Sequence, residues 1–203
     1  MHKRLDQIDI VLLDAMGVIY AACDDVGELL IPFLREHGSQ AAEPLIQEAY
    51  LQASLGQISA RTFWSTLGLD PELEDIYLAR HRLHADLIDF IHRIPQRQQL
   101  ACLSNDVSEW SAKLRRKFSL EALIPQWIIS GDVGYRKPDA RIYDIAAAQL
   151  GLSPERILFI DDRLANVQAA RAQGMHAVLF ETGGTSSDEP TYTFAALMDL
   201  LGE

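Results

Sequence analysis

A set of polar residues in four separate segments has the side chains needed to act on a phosphate ester. Each segment follows an apolar run, so each polar group lies at or shortly after the end of a predicted strand. A carboxylate can attack phosphorus as a nucleophile, an ammonium group can neutralise phosphoryl charge, and paired carboxylates can bind Mg²⁺. The residues are Asp14, Ser104, Asn105, Asp106, Lys137, Asp161 and Asp162.

The first of these segments predicts a buried parallel strand that ends at Asp14. Its residues Val11 to Leu13 are consecutively apolar, which is typical of a strand covered by helices on both faces. In open α/β sheets the ligand crevice lies outside the carboxyl ends of the strands, so Asp14 is placed for chemistry. Taken alone, an aspartate here is equally typical of a turn cap.

From residue 99 onward, apolar strand-like runs alternate with helix-period segments. This alternation predicts a Rossmann-like, doubly wound α/β fold with a parallel sheet and right-handed crossovers, which would bring the polar groups to one crevice. The segment 183–188 is predicted to be a mobile loop. Further strands are predicted at 100–103, 127–129, 157–160 and 177–180, and helices near 107–118, 138–150, 164–173 and 193–201.

Residues 21–94 show helical periodicity and no convincing strand pattern, so they are predicted to form a small helical domain inserted into the sheet domain. One predicted helix runs from Ser39 to about Leu55 and places Leu45 on its apolar face. Another begins at Asp70 and Pro71 and turns Ile76 inward.

Composition excludes several classes of function. The 203 residues carry a formal charge of −11, which argues against nucleic acid as a partner. No apolar stretch approaches the ~20 residues of a membrane span, and the polar N-terminus is not typical of a signal peptide. Two cysteines without a CxxC spacing fit a reducing cytoplasm. The oligomeric state is left open.

In the order and spacing of these motifs the sequence resembles the haloacid dehalogenase superfamily. The resemblance implies a core domain at 1–20 and 95–203 and a helical cap at 21–94. It also implies that Asp14 is the nucleophile, that Ser104 binds the phosphoryl oxygens together with Asn105, and that Lys137 neutralises charge. The implied Mg²⁺ ligands are Asp14, the backbone carbonyl of Met16, Asp161 and Asp162. Of the two adjacent aspartates, Asp162 is favoured as the direct ligand.

Met16 departs from the pattern of the superfamily's phosphatases. They carry an aspartate two residues after the nucleophile, which protonates the leaving alcohol, whereas a thioether transfers no proton. Three explanations stay open: a Mg²⁺-dependent phosphohydrolase of weak or specialised activity on a small phosphorylated substrate, a non-catalytic phosphate- and metal-binding descendant, and a 2-haloacid dehalogenase. The acidic pair at 161–162 disfavours the dehalogenase, which is metal-independent. A phosphonatase is disfavoured because residues 21–97 contain no lysine.

Other residues are weaker candidates for the site. Asp106 and Asn166 could support a metal, or they could be cap and turn residues. In the predicted cap, Arg35, Arg61, Tyr50 and Trp64 could meet a substrate, although helical spacing favours a core position for the two aromatic residues. The histidines, including His81 and His84, show no metal-binding spacing and are predicted to lie on the surface.

Overall fold

The computed structural model describes residues 7–182 and 189–202, so the predicted loop at 183–188 and the first six residues lie outside the description. Six parallel strands form one sheet in the order β3-β2-β1-β4-β5-β6. The predicted α/β class is therefore confirmed. The strands are β1 (Ile10–Leu13), β2 (Gln99–Ser104), β3 (Gln126–Ile129), β4 (Ile157–Asp161), β5 (His176–Phe180) and β6 (Thr191–Tyr192).

Helices cover both faces of this sheet, and the side chains of β1 alternate between two hydrophobic cores. Val11 and Leu13 belong to one core, whereas Ile10 and Leu12 belong to the other. The helices are α1 (Ile31–Glu36), α2 (Glu43–Ser54), α3 (Ala60–Thr66), α4 (Glu74–Leu78), α5 (Leu87–Arg93), α6 (Ser108–Lys117), α7 (Ser130–Val133), α8 (Ala140–Leu150), α9 (Leu164–Ala172) and α10 (Phe194–Leu201).

The register aligns the carboxyl ends of the three central strands. Leu13 of β1 lies beside Cys102 of β2 and Ile160 of β4. The next residues along these strands therefore emerge at the same edge of the sheet. This alignment places the polar groups that follow β1, β2 and β4 side by side.

Residues 25–93 are all described and form helices and short helical turns. An isolated β-bridge pairs Leu83 with Tyr20, which precedes this stretch. A π-helical turn at Asp25–Leu30 leads into α1. At the other end of this stretch α5 packs on α10, with the rings of Phe90 and Phe194 stacked at 4.7 Å. The division into a core and a cap at residues 20 and 95 stays a prediction.

Two expectations for the helical stretch are wrong. Leu45 is 44% exposed, because the buried face of α2 begins at Ile46 and continues through Ala49 and Ala53. Ile76 is 54% exposed, because the short helix α4 buries Glu74, Tyr77 and Leu78. The unexpected inward residue is thus a glutamate.

Glu74 is buried because it has three polar partners. Its Oε2 accepts hydrogen bonds from the indole nitrogens of Trp64, at 3.0 Å, and Trp110, at 2.9 Å. Its Oε1 lies 2.7 Å from Lys113 Nζ. Since Trp110 and Lys113 belong to α6, this cluster joins the helical stretch to the sheet domain.

The sheet also contains a strand that the sequence pattern did not predict. β6 comprises only Thr191 and Tyr192, too few residues for a periodic signal, and it pairs with the end of β5. In the two described ranges, every helix is too short or too polar to cross a membrane.

Candidate active site

Lys137 lies at the centre of the aligned strand ends. Its Nζ is 2.6 Å from Asp14 Oδ1 and 2.7 Å from Asp161 Oδ2, and it donates to the Leu103 carbonyl at 2.8 Å. An ammonium group has three donors, so these acceptors occupy all of them. Although burial lowers the pKa of Lys137, the carboxylates of Asp14 and Asp161 raise it above its usual value overall. Lys137 is therefore held as a buried cation beside Asp14.

The two adjacent aspartates at the carboxyl end of β4 have different surroundings. Asp161 accepts hydrogen bonds from Asn166 Nδ2, at 3.0 Å to each carboxylate oxygen, and from the Arg163 backbone N–H at 2.8 Å, in addition to Lys137. Asp162 Oδ1 is buried and has no hydrogen-bond partner in the described structure. Since Asp161 is held by protein groups, Asp162 has the carboxylate oxygen available for a ligand.

Gly17 allows Asp162 to approach the loop after β1. Its φ of +81° lies in the left-handed region, and a Cβ atom added there would be 2.5 Å from Asp162 Oδ2. A side chain at residue 17 would therefore displace the Asp162 carboxylate. Close backbone approach explains why glycine follows Met16.

Burial and mutual repulsion raise the pKa values of two of the clustered acids. Burial raises the pKa of Asp14 well above its ordinary value, Asp161 adds to the increase, and Lys137 opposes it. Burial and the charge of Asp161 raise the pKa of Asp162 to about 6, against the opposing effect of Arg163. Three buried carboxyl groups near a single lysine favour an additional cation.

The residues of this cluster fit a magnesium ion. One oxygen from each of Asp14, Asp161 and Asp162 lies within 4.8 Å of the other two. All three donors are carboxylates, the ligand type that Mg²⁺ prefers, and Asp162 Oδ1 lacks any other partner among the described residues. Met16 is half-buried in the wall of the adjoining pocket, within the same turn as Gly17.

Ser104 is the last residue of β2 and Asn105 follows it, but their side chains have different environments. Ser104 Oγ is buried and has no hydrogen-bond partner in the described structure. The Asn105 amide pairs with the backbone of Lys137, donating to its carbonyl at 2.9 Å and accepting from its N–H at 2.8 Å. Ser104 therefore offers an unused hydroxyl, whereas Asn105 positions Lys137.

A pocket of about 250 Å³ opens beside the cluster. Residues of the helical stretch line its opposite wall, with Gln47, Tyr50 and Leu51 contributed by α2. Both Arg136 and Arg163 also line it. Arg136 lies directly before Lys137 in the same motif, whereas no sequence pattern marks Arg163.

Of the four candidate cap residues, Tyr50 alone lines this pocket, and its hydroxyl donates to the Asn105 carbonyl at 3.2 Å. Arg35 donates to the Ser39 carbonyl, and Arg61 pairs with Glu72 on the surface. Trp64 is fully buried, as its spacing favours. Helical spacing located the apolar faces, but it could not identify which α2 residue faces the sheet.

Two residues predicted as possible supporting groups, Asp106 and Asn166, are buried. Asn166 holds Asp161, as described above. Asp106 accepts a hydrogen bond from the Val107 backbone N–H at 2.7 Å, and burial raises its pKa well above the ordinary value. Asp106 does not line the pocket. It therefore contributes to the turn after β2.

The surface position predicted for His81 is wrong. His81 is 3% exposed, and its Nε2 lies 2.9 Å from Asp25 Oδ1. The other carboxylate oxygen of Asp25 accepts a hydrogen bond from Tyr77 at 2.6 Å. Asp25 and His81 lie far apart in the sequence, so no local spacing could have indicated this buried pair. Asp25 also lines the pocket.

Comparisons with known proteins agree on the type of fold and family. A family model described as haloacid dehalogenase-like hydrolase matches residues 8–174. A curated phosphatase of Mycobacterium tuberculosis is 30% identical over 179 residues, which cover 87% of this chain and 70% of that protein. An (S)-2-haloacid dehalogenase of Burkholderia cepacia is 28% identical over 98 residues, covering 48% of this chain and 41% of that protein.

Other similarities cover less of the related protein or concern the fold alone. The chain spans 24% and 10% of the length of two further curated relatives that it matches. A family enzyme from Bacteroides thetaiotaomicron, solved in complex with magnesium and inorganic phosphate, superposes with a TM-score of 0.75 at 20% identity. That match covers 89% of this chain and 98% of the other.

Proposed function

Because this chain belongs to the haloacid dehalogenase-like hydrolases, we propose that it is a magnesium-dependent phosphohydrolase acting on a small phosphorylated metabolite. The observation that carries this proposal is the buried group of Asp14, Asp161 and Asp162, in which Asp162 Oδ1 has no partner among the described residues. The helical stretch at 21–94 would act as the cap that covers the substrate, and a cytoplasmic location is part of the same proposal.

The proposed chemistry begins with Asp14. One carboxylate oxygen of Asp14 forms a bond to phosphorus while the bond to the alcohol oxygen breaks, which leaves an aspartyl phosphate. Lys137 and the free hydroxyl of Ser104 stabilise the charge on the phosphoryl oxygens. Water then attacks the phosphorus and releases phosphate and Asp14. Bound Mg²⁺ would lower the repulsion between the Asp14 carboxylate and the phosphate dianion.

Met16 determines which esters should react. Protonation of the departing alcohol by a positioned acid contributes about 10² to 10⁴ in rate, and a thioether cannot provide it. An ester whose alcohol leaves readily as an anion needs little of this assistance. The proposed enzyme should therefore discriminate strongly by leaving group.

The first experiment compares p-nitrophenyl phosphate with ethyl phosphate, in Mg²⁺ and in EDTA. We expect Mg²⁺-dependent turnover of the nitrophenyl ester and turnover of the alkyl ester that is slower by at least about 10²-fold. A Met16→Asp variant should raise the rate for the alkyl ester more than the rate for the nitrophenyl ester. Equal rates for both esters in the natural protein would contradict this role of Met16.

The same experiment separates the alternatives. Mg²⁺ and phosphate binding without turnover of either ester would identify a non-catalytic binding protein. Release of halide from a 2-haloacid in EDTA would identify a dehalogenase, because that reaction releases its leaving group without a proton. Retention of Asp14 and Lys137 favours hydrolysis over simple binding, since a binding protein could lose both residues.

Asp162 is proposed as the direct metal ligand of the acidic pair. In an Asp162→Ala variant we expect Mg²⁺ affinity to fall by at least about tenfold, because the substitution removes the carboxylate oxygen that has no partner among the described residues. The fold should remain intact. Calorimetry with Mg²⁺ measures the affinity, and Asp132→Ala, at an exposed acid in α7, is the matched control. Unchanged Mg²⁺ binding in Asp162→Ala would refute the assignment.

A further inference from the structure

Arg136 places a second positive group in the pocket, next to the buried lysine. The three N–H donors of Lys137 are occupied by protein acceptors, whereas the Arg136 side chain extends to the wall formed by α2. Arg136 is only half-buried, so its guanidinium can meet a ligand. The inference below rests on the proposed function, because it concerns the part of the substrate that is not the transferred phosphate.

The position of the Arg136 side chain is set by α2. Its Nη1 donates a hydrogen bond to the hydroxyl of Ser54, and its guanidinium carbon lies 5.4 Å from the ring centroid of Tyr50. Ser54 is itself fully buried and donates to the Tyr50 carbonyl at 2.7 Å. A buried partner and an aromatic face thus hold the guanidinium before any ligand arrives, which lowers the entropy cost of binding.

Among the described residues no carboxylate forms an ion pair with Arg136, and the carboxyl group on which its charge acts is the buried Asp106 in the turn after β2. Among the described residues, the contacts of its side chain are with Ser54 and Tyr50, both neutral. A guanidinium has five N–H donors in a planar fork, and Ser54 accepts from one of them. Unused donors on a half-buried cation favour an anion, and paired oxygens of a carboxylate or phosphate match the fork.

We propose that Arg136 binds a second anionic group of the substrate, so that this protein acts on small phosphorylated metabolites that also carry a carboxylate or another phosphate. Arg163 lines the same pocket and donates to the Cys23 carbonyl at 3.4 Å, but it is exposed, and none of the described residues is a buried partner that would fix its position. The geometry therefore assigns the second anion to Arg136.

The pocket has room for such a substrate. Its volume is about 250 Å³, and it is open to solvent. It can therefore hold a phosphate and a second anionic group joined by a short carbon chain.

The test uses three non-hydrolysable phosphonates with similar carbon chains. Propylphosphonate has no second anion, 3-phosphonopropionate adds a carboxylate, and propane-1,3-bisphosphonate adds a second phosphonate. Calorimetry in saturating Mg²⁺ gives the affinity of each for the natural protein, Arg136→Gln and Arg61→Gln. Arg61 is the matched control, because it is an exposed arginine of α3 outside the pocket.

We expect at least one of the two probes with a second anionic group to bind the natural protein about tenfold to hundredfold more tightly than propylphosphonate. Arg136→Gln should abolish this preference, so that the three probes bind with similar affinity, whereas Arg61→Gln should preserve it. Whichever probe gains affinity identifies the second anion as a carboxylate or a phosphate.

Two results would overturn the inference without affecting the proposed function. In the first, propylphosphonate binds but neither second anion increases the affinity. In the second, the preference persists in Arg136→Gln, which would direct attention to Arg163. If neither inorganic phosphate nor any phosphonate binds in Mg²⁺, the proposed function itself fails, and this inference fails with it.

Discussion

Replacing Asp14 with asparagine is expected to lower turnover of p-nitrophenyl phosphate by between about 10³ and 10⁶-fold, the range associated with loss of a catalytic nucleophile. An amide oxygen cannot form the aspartyl phosphate, although it can still accept the hydrogen bond from Lys137. Because burial raises the pKa of Asp14, a neutral amide should be tolerated there. Steady-state kinetics measures the loss, and denaturant unfolding checks the fold.

The matched control for Asp14→Asn is Asp9→Asn. Asp9 precedes β1 at the opposite end of the strand and pairs with Arg156, so the same substitution there should leave turnover unchanged. Mass spectrometry of acid-quenched protein should detect a phosphoryl adduct on the natural chain and none on Asp14→Asn. Full turnover by an Asp14→Asn protein whose asparagine is shown by mass spectrometry to be intact would exclude the covalent step.

Lys137→Met is expected to have the second largest effect, on stability as well as on activity. Removing one partner from a buried ion pair typically costs about 3 to 5 kcal/mol, because the remaining charge is uncompensated. Here two buried carboxylates, Asp14 and Asp161, lose their common cation. The free energy of unfolding, measured in EDTA, should fall by an amount in that range.

Lys113→Met provides the matched comparison for this change. Lys113 lies close to Glu74 and Asp75, but its side chain is 41% exposed. Because Trp64 and Trp110 still donate to Glu74 without it, each pair should contribute only about 0.2 to 1 kcal/mol. Lys137→Met should also lose turnover by at least about 10²-fold even when folded, because the phosphoryl charge loses its neighbouring cation. Similar unfolding energies for the two variants would contradict a buried cation at Lys137.

Sequence patterns predicted the strands of the sheet well where both faces are buried. Consecutive apolar residues such as Val11 to Leu13 fit a parallel strand regardless of which helix covers each face. The patterns failed where a polar interaction overrode periodicity. Glu74 turns inward because two tryptophans donate to it, and His81 is buried because Asp25 accepts its hydrogen bond.

The sequence by itself determined which chemical groups follow which strands, and therefore the family, the kind of chemistry and the departure at Met16. Parallel register alone then brings those strand ends together. Only the tertiary structure decided which of two chemically identical side chains is available to a ligand. Asp161 is held by Asn166 and Lys137, whereas one oxygen of Asp162 has no partner among the residues that the structure describes.

Arg136 illustrates the same division. Its place before Lys137 is visible in the chain, but its position against Ser54 and Tyr50 depends on how α2 packs over the crevice. Hydrogen-bond partners and charge neutralisation are set by contacts between residues far apart in sequence. Because local patterns carry no information on those contacts, the availability of each side chain for a ligand is a property of the folded protein.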